Sequence, residues 1–381
     1  MHDTAVEPDI ESRPLGNIPG MDAVKERLAD VLRPTGPMRA PAAHVGESPG
    51  KLLRPALTLL CASLAGGVTE DVIDAAVAVE LIHTASLTHD DVVDESDKRR
   101  GRPSVRYQFG NKTAVLLGDY LFTTAFELLN RGRKRSVIRS LSAAIKSMSS
   151  GELMHLASTY RVDLTEDQYR RYIYLKTASL MSASCEAGAL AAGGRDSLAR
   201  LTGTFGMNLG MAFQVIDDLL DMTGLASTDG KPSWMDLRRG IVTLPLIRLI
   251  TVDGWGERVS SLWDSGDEWM SDGATSALMK EMSGALERHG CLAYAFNVGR
   301  SYISSALESL SGFGGSPALD TLRSVARRVE SRYPAIVLQQ PGVPECQARV
   351  KEPGAIRAGA AHDVPGDMVD TTLSDLPVGQ V

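Results

Sequence analysis

Residues 70–94 read EDVIDAAVAVELIHTASLTHDDVVD. Apolar side chains recur at spacings of three and four, and no proline or glycine interrupts them, so the stretch predicts a long helix. It closes on three carboxylates, Asp90, Asp91 and Asp94. Positions i and i+4 share a helix face, so Asp90 and Asp94 point the same way. Like charges placed so repel unless a cation neutralises them. Residues 211–221, MAFQVIDDLLD, repeat the pattern with Asp217, Asp218 and Asp221 after another apolar run. A lone cluster reads as a solvated helix end. Two that face each other would make a strongly negative mouth, suited to cations and, through them, to an anionic substrate.

The text around these runs is also helical. No proline occurs between Pro103 and Pro232, which favours long helices. The segments 70–92, 113–129, 135–160, 165–192 and 197–222 all carry helical spacing, as do 241–251, 273–287, 289–310 and 315–332. A short helix fits 20–32, followed by a connector rich in Pro, Gly, Ala and Ser up to Gly50. Strand-like alternation is short and rare. The expected fold is an all-α bundle in one domain over 20–338, with a flexible segment 1–19 and a disordered tail 339–381.

Composition narrows the function. The chain has 381 residues, 43% of them hydrophobic, enough for a substantial core. A formal net charge of −7 argues against a nucleic-acid partner. Cys61, Cys185, Cys291 and Cys346 lie far apart with no CxxC, as expected of reduced thiols in a cytoplasmic protein. No apolar run is long enough to span a membrane, and the N-terminus lacks a signal-peptide pattern.

Carboxylate-only ligation suits Mg²⁺, with Mn²⁺ as a substitute, rather than Zn²⁺. Mg²⁺ takes few protein carboxylates and fills its shell with water and phosphate oxygens, so the clusters could grip a diphosphate through bridging ions. Basic residues could hold a second diphosphate without metal. Lys51 and Arg54 stand in GKLLRP (50–55), and Arg99 and Arg100 follow the first cluster. Lys231 is a further candidate, as is Lys176, whose mid-helix place in YLKTA requires it to snorkel or find an anion.

With these blocks in view, the chain resembles the trans (all-E) isoprenyl diphosphate synthases, the polyprenyl synthetase family. The likeness runs from about Gly50 to Arg332 through GKLLRP, LIHTASLTHDDVVDESDKRRGRPSV, GDYLFTTAF, YLKTASL, MAFQVIDDLLD and DGKPSWMDLRRGIVTLP. It implies an isoprenoid-synthase-type bundle of mostly antiparallel helices around a deep apolar cavity, usually dimeric. It also implies three Mg²⁺ ions on Asp90, Asp91, Asp94, Asp217, Asp218 and Asp221, holding an allylic diphosphate. Lys51, Arg54, His83 and Arg100 would hold isopentenyl diphosphate. Arg99, Lys176 and Lys231 would face the allylic diphosphate, and Thr177 and Gln214 would line the reacting end. His89, beside the acids, would support them. The implied activity is a Mg²⁺-dependent, head-to-tail prenyltransferase of isoprenoid biosynthesis, acting in the cytoplasm with transient membrane association for product release.

Product length is then a packing question. Ala85 and Ser86, one turn before Asp90, form the first floor of the tail cavity and are small. In the family, a bulky aromatic there resembles a stopper for short products, so an open floor implies C30–C50. Phe122 or Phe126 could close the cavity deeper. Geranylgeranyl (C20) and farnesyl (C15) synthases are the alternatives, along with a terpene cyclase on the same scaffold and a non-catalytic partner subunit. Three positions depart from the family pattern: Trp234 where glycine is usual, Ile241 where lysine is common, and His155 where an amide or acid is more usual.

Overall fold

A computed structural model of the chain describes residues 18–48, 50–132, 134–223, 234–252, 254–264 and 273–332. The expected tail, Lys231 and nearly all of the expected flexible N-terminal segment lie outside these residues. Within them the fold is all-α. In chain order the helices are α1 (Met21–Val31), α2 (Arg39–Gly46), α3 (Leu53–Ala65), α4 (Glu70–Val93), α5 (Val105–Phe109), α6 (Asn111–Arg131), α7 (Arg135–Ser158) and α8 (Glu166–Ile173). A π-helical turn, Tyr174–Ala178, follows. Then come α9 (Ser179–Ala191), α10 (Asp196–Thr223), α11 (Met235–Arg238), α12 (Leu244–Ile250), α13 (Trp255–Asp264), α14 (Gly273–Arg288), α15 (Cys291–Ser309) and α16 (Pro317–Ser331). The extended structure described is a two-residue ribbon, β1 (Lys98–Arg99) paired antiparallel with β2 (Arg102–Pro103). No helix among the described residues is long and apolar enough to cross a membrane.

The chain divides into two compact units, and α7, α10, α15 and α16 contribute to both. The first comprises residues up to Lys146, Ser179–Met207 and Ala306–Ala326. Its centre is α4, which is buried on every side from Val72 to Ile82, the mark of a core helix rather than an amphipathic surface one. Helix α6 lies antiparallel beside it. His89 near the end of α4 meets Val115 and Phe122 of α6, and Asp71 at its start meets Lys134 just beyond α6. Helix α3 runs in the same direction as α9. Thr58 Oγ1 donates to the Ser184 carbonyl at 3.0 Å, and Gly66, just after α3, meets Ala192, just after α9. Glycine makes this approach possible, since a Cβ on Gly188 would sit 2.0 Å from the Thr58 carbonyl oxygen.

The second unit comprises Ser147–Ala178, Asn208–Ser305 and the chain from Arg327 onward. A capping box starts α8: Thr165 Oγ1 accepts from Gln168 N, and Gln168 Oε1 accepts from Thr165 N. Glu166 then ties α8 to α15, accepting from Tyr294 Oη at 2.8 Å and pairing with Arg170. Arg248 of α12 lies over the Tyr294 ring at 4.4 Å.

Most expected helices appear within two or three residues of their expected ends, but 165–192 is not one helix. The π-helical turn splits it, because one extra residue per turn is accommodated there, a common device at functional sites. Helix α2 falls in a stretch expected to be a connector, since Pro41 tolerates only a helix's first turn. Helix α13, with Trp255, Val259 and Leu262 buried at helical spacing, was not expected either.

Gly188→Ala should lower stability by about 2 kcal/mol or more, because backbone rather than a flexible side chain must yield. Gly203→Ala is the control: its nearest neighbour would be 3.5 Å away, and it should match or exceed the parent in thermal melting.

Candidate active site

In the first unit, α4 places the three carboxylates of its last turn in two different settings. Asp94 is exposed and Asp90 half-buried, so the i, i+4 pair faces solvent. Asp91 faces inward and is 3% exposed. Its Oδ1 accepts from Arg99 Nε at 2.9 Å and Nη2 at 2.5 Å. Burial pushes this carboxyl up from its ordinary value, and Arg99 pulls it back. The β1–β2 ribbon that carries Arg99 turns through Arg100 and Gly101, both with left-handed backbone, at φ 52 and 76.

A cationic group stands near the middle of α4. Arg54 Nη1 lies 3.1 Å from His83 Nε2. Burial, then Arg54, Arg100 and Arg99, holds the imidazole well below its ordinary value. His83 is therefore neutral and accepts from the guanidinium. Arg54 Nε is buried without a hydrogen-bond partner. Arg100 lies against Gly50 and donates to the Ser48 carbonyl at 3.0 Å, which brings it beside Lys51. Glu80, 6% exposed, is the carboxylate whose charge acts on Arg54, and burial raises its own value. Arg54, His83 and Arg100 thus converge, with Lys51 next to Gly50 in the chain, and the cationic surplus suits an anion.

The second unit repeats the division of labour on α10. Asp218 faces inward, 3% exposed, and both oxygens are engaged: Tyr169 Oη donates at 2.6 Å and Gln214 Nε2 at 2.9 Å. Thr177 Oγ1 donates to Gln214 Oε1 at 2.9 Å, which fixes the amide. Burial raises the Asp218 carboxyl well above its ordinary value, Asp236 adds to this, and the two donors oppose it. Asp217 is partly exposed and pairs with Arg332 at 2.6 Å, while Arg332 stacks over Phe213. Asp221 accepts from the backbone N–H groups of Met235 and Asp236, each at 3.2 Å. Lys176, on the π-helical turn, pairs with Glu152 at 2.6 Å.

Trp234 takes the left-handed backbone that a glycine would favour, at φ 51 and ψ 29, with its indole buried at 3% exposure. Its replacement of glycine therefore keeps the turn and fills space. Ile241 N donates to the Asp236 carbonyl, and His155 meets Tyr172 edge-on at 5.4 Å.

The donor set fits Mg²⁺ in one particular way. Among the described residues, no group of three or more His, Cys, Asp or Glu side chains could hold an ion alone. Oxygen-only pairs that supply one or two ligands match an ion whose remaining ligands are water and phosphate. Asp90 with Asp94, and Asp217 with Asp221, would be the holders.

Several residues here were not expected from the sequence. Glu80, Glu152, Tyr169 and Arg332 carry no spacing signal. Asp236 carries a weak one, an acid two residues before a double arginine.

Comparison with known proteins gives these groups a family. The model of the polyprenyl synthetase family matches residues 36–262. A heptaprenyl diphosphate synthase component 2 of Geobacillus stearothermophilus is 34% identical over 81% of this chain and 95% of that protein. A geranylgeranyl diphosphate synthase of Sulfolobus acidocaldarius is 34% identical over 70% and 82%. Among solved structures, a Caulobacter crescentus polyprenyl synthase complexed with calcium and isoprenyl diphosphate is 33% identical, with a TM-score of 0.73 over 82% of this chain and 94% of that one. The chain belongs to the polyprenyl synthetase family. It is a transferase of the polyprenyl diphosphate synthase type, with that family's divalent-metal-dependent prenyl transfer.

Asp236 gives the site a pH signature. Burial, and then Asp221, push its carboxyl up to about 7, against Arg239 and Lys176. The folded chain thus keeps a proton that the unfolded chain releases above about pH 4. Stability from this group falls as pH rises from about 4 to about 7 and stays low above. With metal chelated, Asp236→Asn should melt higher than the parent above pH 7, by on the order of 2 kcal/mol. Below about pH 4 the two should coincide.

Proposed function

We propose that the chain condenses isopentenyl diphosphate head-to-tail onto an allylic diphosphate and repeats the step to give an all-E polyprenyl diphosphate of C30–C50. One observation carries this reading beyond the family. Besides the two acidic clusters, the first unit holds a separate cationic group of Arg54, neutral His83, Arg100 and Lys51. A cyclase acts on one diphosphate and has no use for a second anion site. A non-catalytic subunit has no need of two intact clusters.

In this reading Lys51, Arg54, His83 and Arg100 hold isopentenyl diphosphate without metal. Asp90, Asp94, Asp217 and Asp221 hold Mg²⁺, which when bound takes up charge on the departing diphosphate. Asp91 and Asp218, placed inward, support these ligands. Lys176, Arg99 and Lys231 stabilise the same departing charge. Thr177 and Gln214 line the reacting end, where water is kept from the allylic cation. The alkene attacks that cation, and a proton leaves the adjacent carbon to the released diphosphate. We further propose a cytoplasmic homodimer that meets membranes transiently to release a long product.

The length assignment rests on Ala85 and Ser86. Ala85 is fully buried, whereas Ser86 is half-buried. Phe122 meets His89 at 5.8 Å, level with the acids, so it is not a deeper stop. Phe126 lies about 6 Å further along α6 and is the stronger candidate for a deeper floor. The likeness to a geranylgeranyl synthase keeps C20 as the second reading.

The test is incubation of the purified chain with Mg²⁺, isopentenyl diphosphate and allylic primers, then sizing of the dephosphorylated products. Products of C30–C50 are expected. Ser86→Phe should shorten them by at least one C5 unit while the first condensation stays within about threefold, because it alters volume and not the reacting groups. A parent product of C20 or shorter would refute the length assignment, and turnover of the primer without isopentenyl diphosphate would refute the condensation.

A further inference from the structure

We propose that Tyr169 is a positioning residue of the second acidic cluster: through its hydroxyl bond to Asp218, it fixes the orientation in which α10 presents Asp217 and Asp221 to a Mg²⁺-bound diphosphate. The inference rests on the reading that this cluster holds such a ligand.

Both oxygens of Asp218 already hold a donor, and the side chain is turned away from solvent. Its Oδ2 is taken by Tyr169 at 2.6 Å, its Oδ1 by Gln214 at 2.9 Å, and the side chain is 3% exposed. Its neighbours Asp217 and Asp221 are both part-exposed. Rotating Asp218 about the helix axis would carry both neighbours with it. Asp218 therefore acts as a rotational stop for the acidic end of α10.

Tyr169 is suited to hold that stop. Its ring is fully buried and meets Tyr172 edge-on at 5.5 Å, so the hydroxyl cannot swing to water. The helix that carries it is capped by the Thr165–Gln168 box and tied to α15 through Glu166. Through Gln214 the same carboxylate also fixes Thr177 on the π-helical turn, next to Lys176. One hydroxyl thus sits at the junction of α8, the π-helical turn and α10. A buried carboxylate that loses a donor must find another or turn toward water. If Asp218 turns, Gln214 and Thr177 are released with it. A tyrosine that merely satisfied a buried acid would influence folding and nothing else.

The test uses the full chain and inorganic pyrophosphate as the probe, by isothermal titration with and without Mg²⁺, together with steady-state kinetics and thermal melting. Wild type should show a Mg²⁺-dependent pyrophosphate component, separate from any binding at the metal-free cationic group. Tyr169→Phe keeps the ring and should bind about tenfold more weakly, ~1.4 kcal/mol. Its KM for the allylic substrate should rise and its KM for isopentenyl diphosphate should not. In an Asp218→Asn background the same substitution should have little further effect, because the residue acts through that carboxylate. If Tyr169→Phe fails to fold, Gln214→Met removes the other donor and should give the same weakening. Wild type whose pyrophosphate binding gains no Mg²⁺-dependent component beyond that of the metal-free cationic group overturns the underlying reading and the inference with it. A Mg²⁺-dependent wild type overturns the inference alone if the folded variant keeps full affinity or if its effect adds to that of Asp218→Asn.

Discussion

Two carboxylates one helical turn apart, roughly 6 Å between them, repel by ~2–3 kcal/mol at an effective dielectric of about 20. This chain accepts that repulsion twice, at Asp90 with Asp94 and at Asp217 with Asp221. Arg332 and two backbone N–H groups offset part of it at the second pair, and a bound cation would return the rest at either. Core-buried α4 brings its acids to the point where the apolar run stops. The oxygen-only, two-carboxylate supply leaves room for a ligand that brings its own oxygens, and a diphosphate does so.

The middle aspartates resolve differently in the two units, and the difference is chemical. Asp91 is held by a guanidinium, which opposes the upward push of burial on its carboxyl. Asp218 is held by a phenol and an amide, both neutral, and its carboxyl is pushed well up. The first arrangement adds a positive charge close to its cluster, and the second adds none. Arg99 is thus both the partner of Asp91 and a cation beside it. In the second unit, positive charge comes instead from Lys176, Arg239 and Arg332, each already facing an acid.

Most of the helix plan was legible, because it rests on apolar spacing and on the missing prolines. The residue types at both clusters and at Lys51 and Arg54 stand out because metal and phosphate chemistry calls for them, whereas His83 entered only through the family resemblance. What the sequence did not carry is direction. Three aspartates at i, i+1 and i+4 read alike, and only the packed helix separates the inward one from the outward pair. The π-helical turn was hidden because YLKTA fits an α-helix equally well. Tyr169 was hidden because its value lies in a buried hydroxyl that meets an acid 49 positions along the chain. Trp234 could be flagged as a departure, but whether its backbone kept the left-handed turn required coordinates.

In the proposed function, the outward pairs of both clusters would act through Mg²⁺ on one allylic diphosphate. Binding of a non-reactive allylic thiolodiphosphate, titrated in Mg²⁺ against wild type, Asp90→Ala and Asp217→Ala, tests it most directly. The account predicts one ligand per chain, lost by at least a hundredfold in each variant and scarcely further in the double variant, since coupled ligands of one site are not additive. Two ligands per chain, or a variant of either cluster that keeps full affinity, would contradict it.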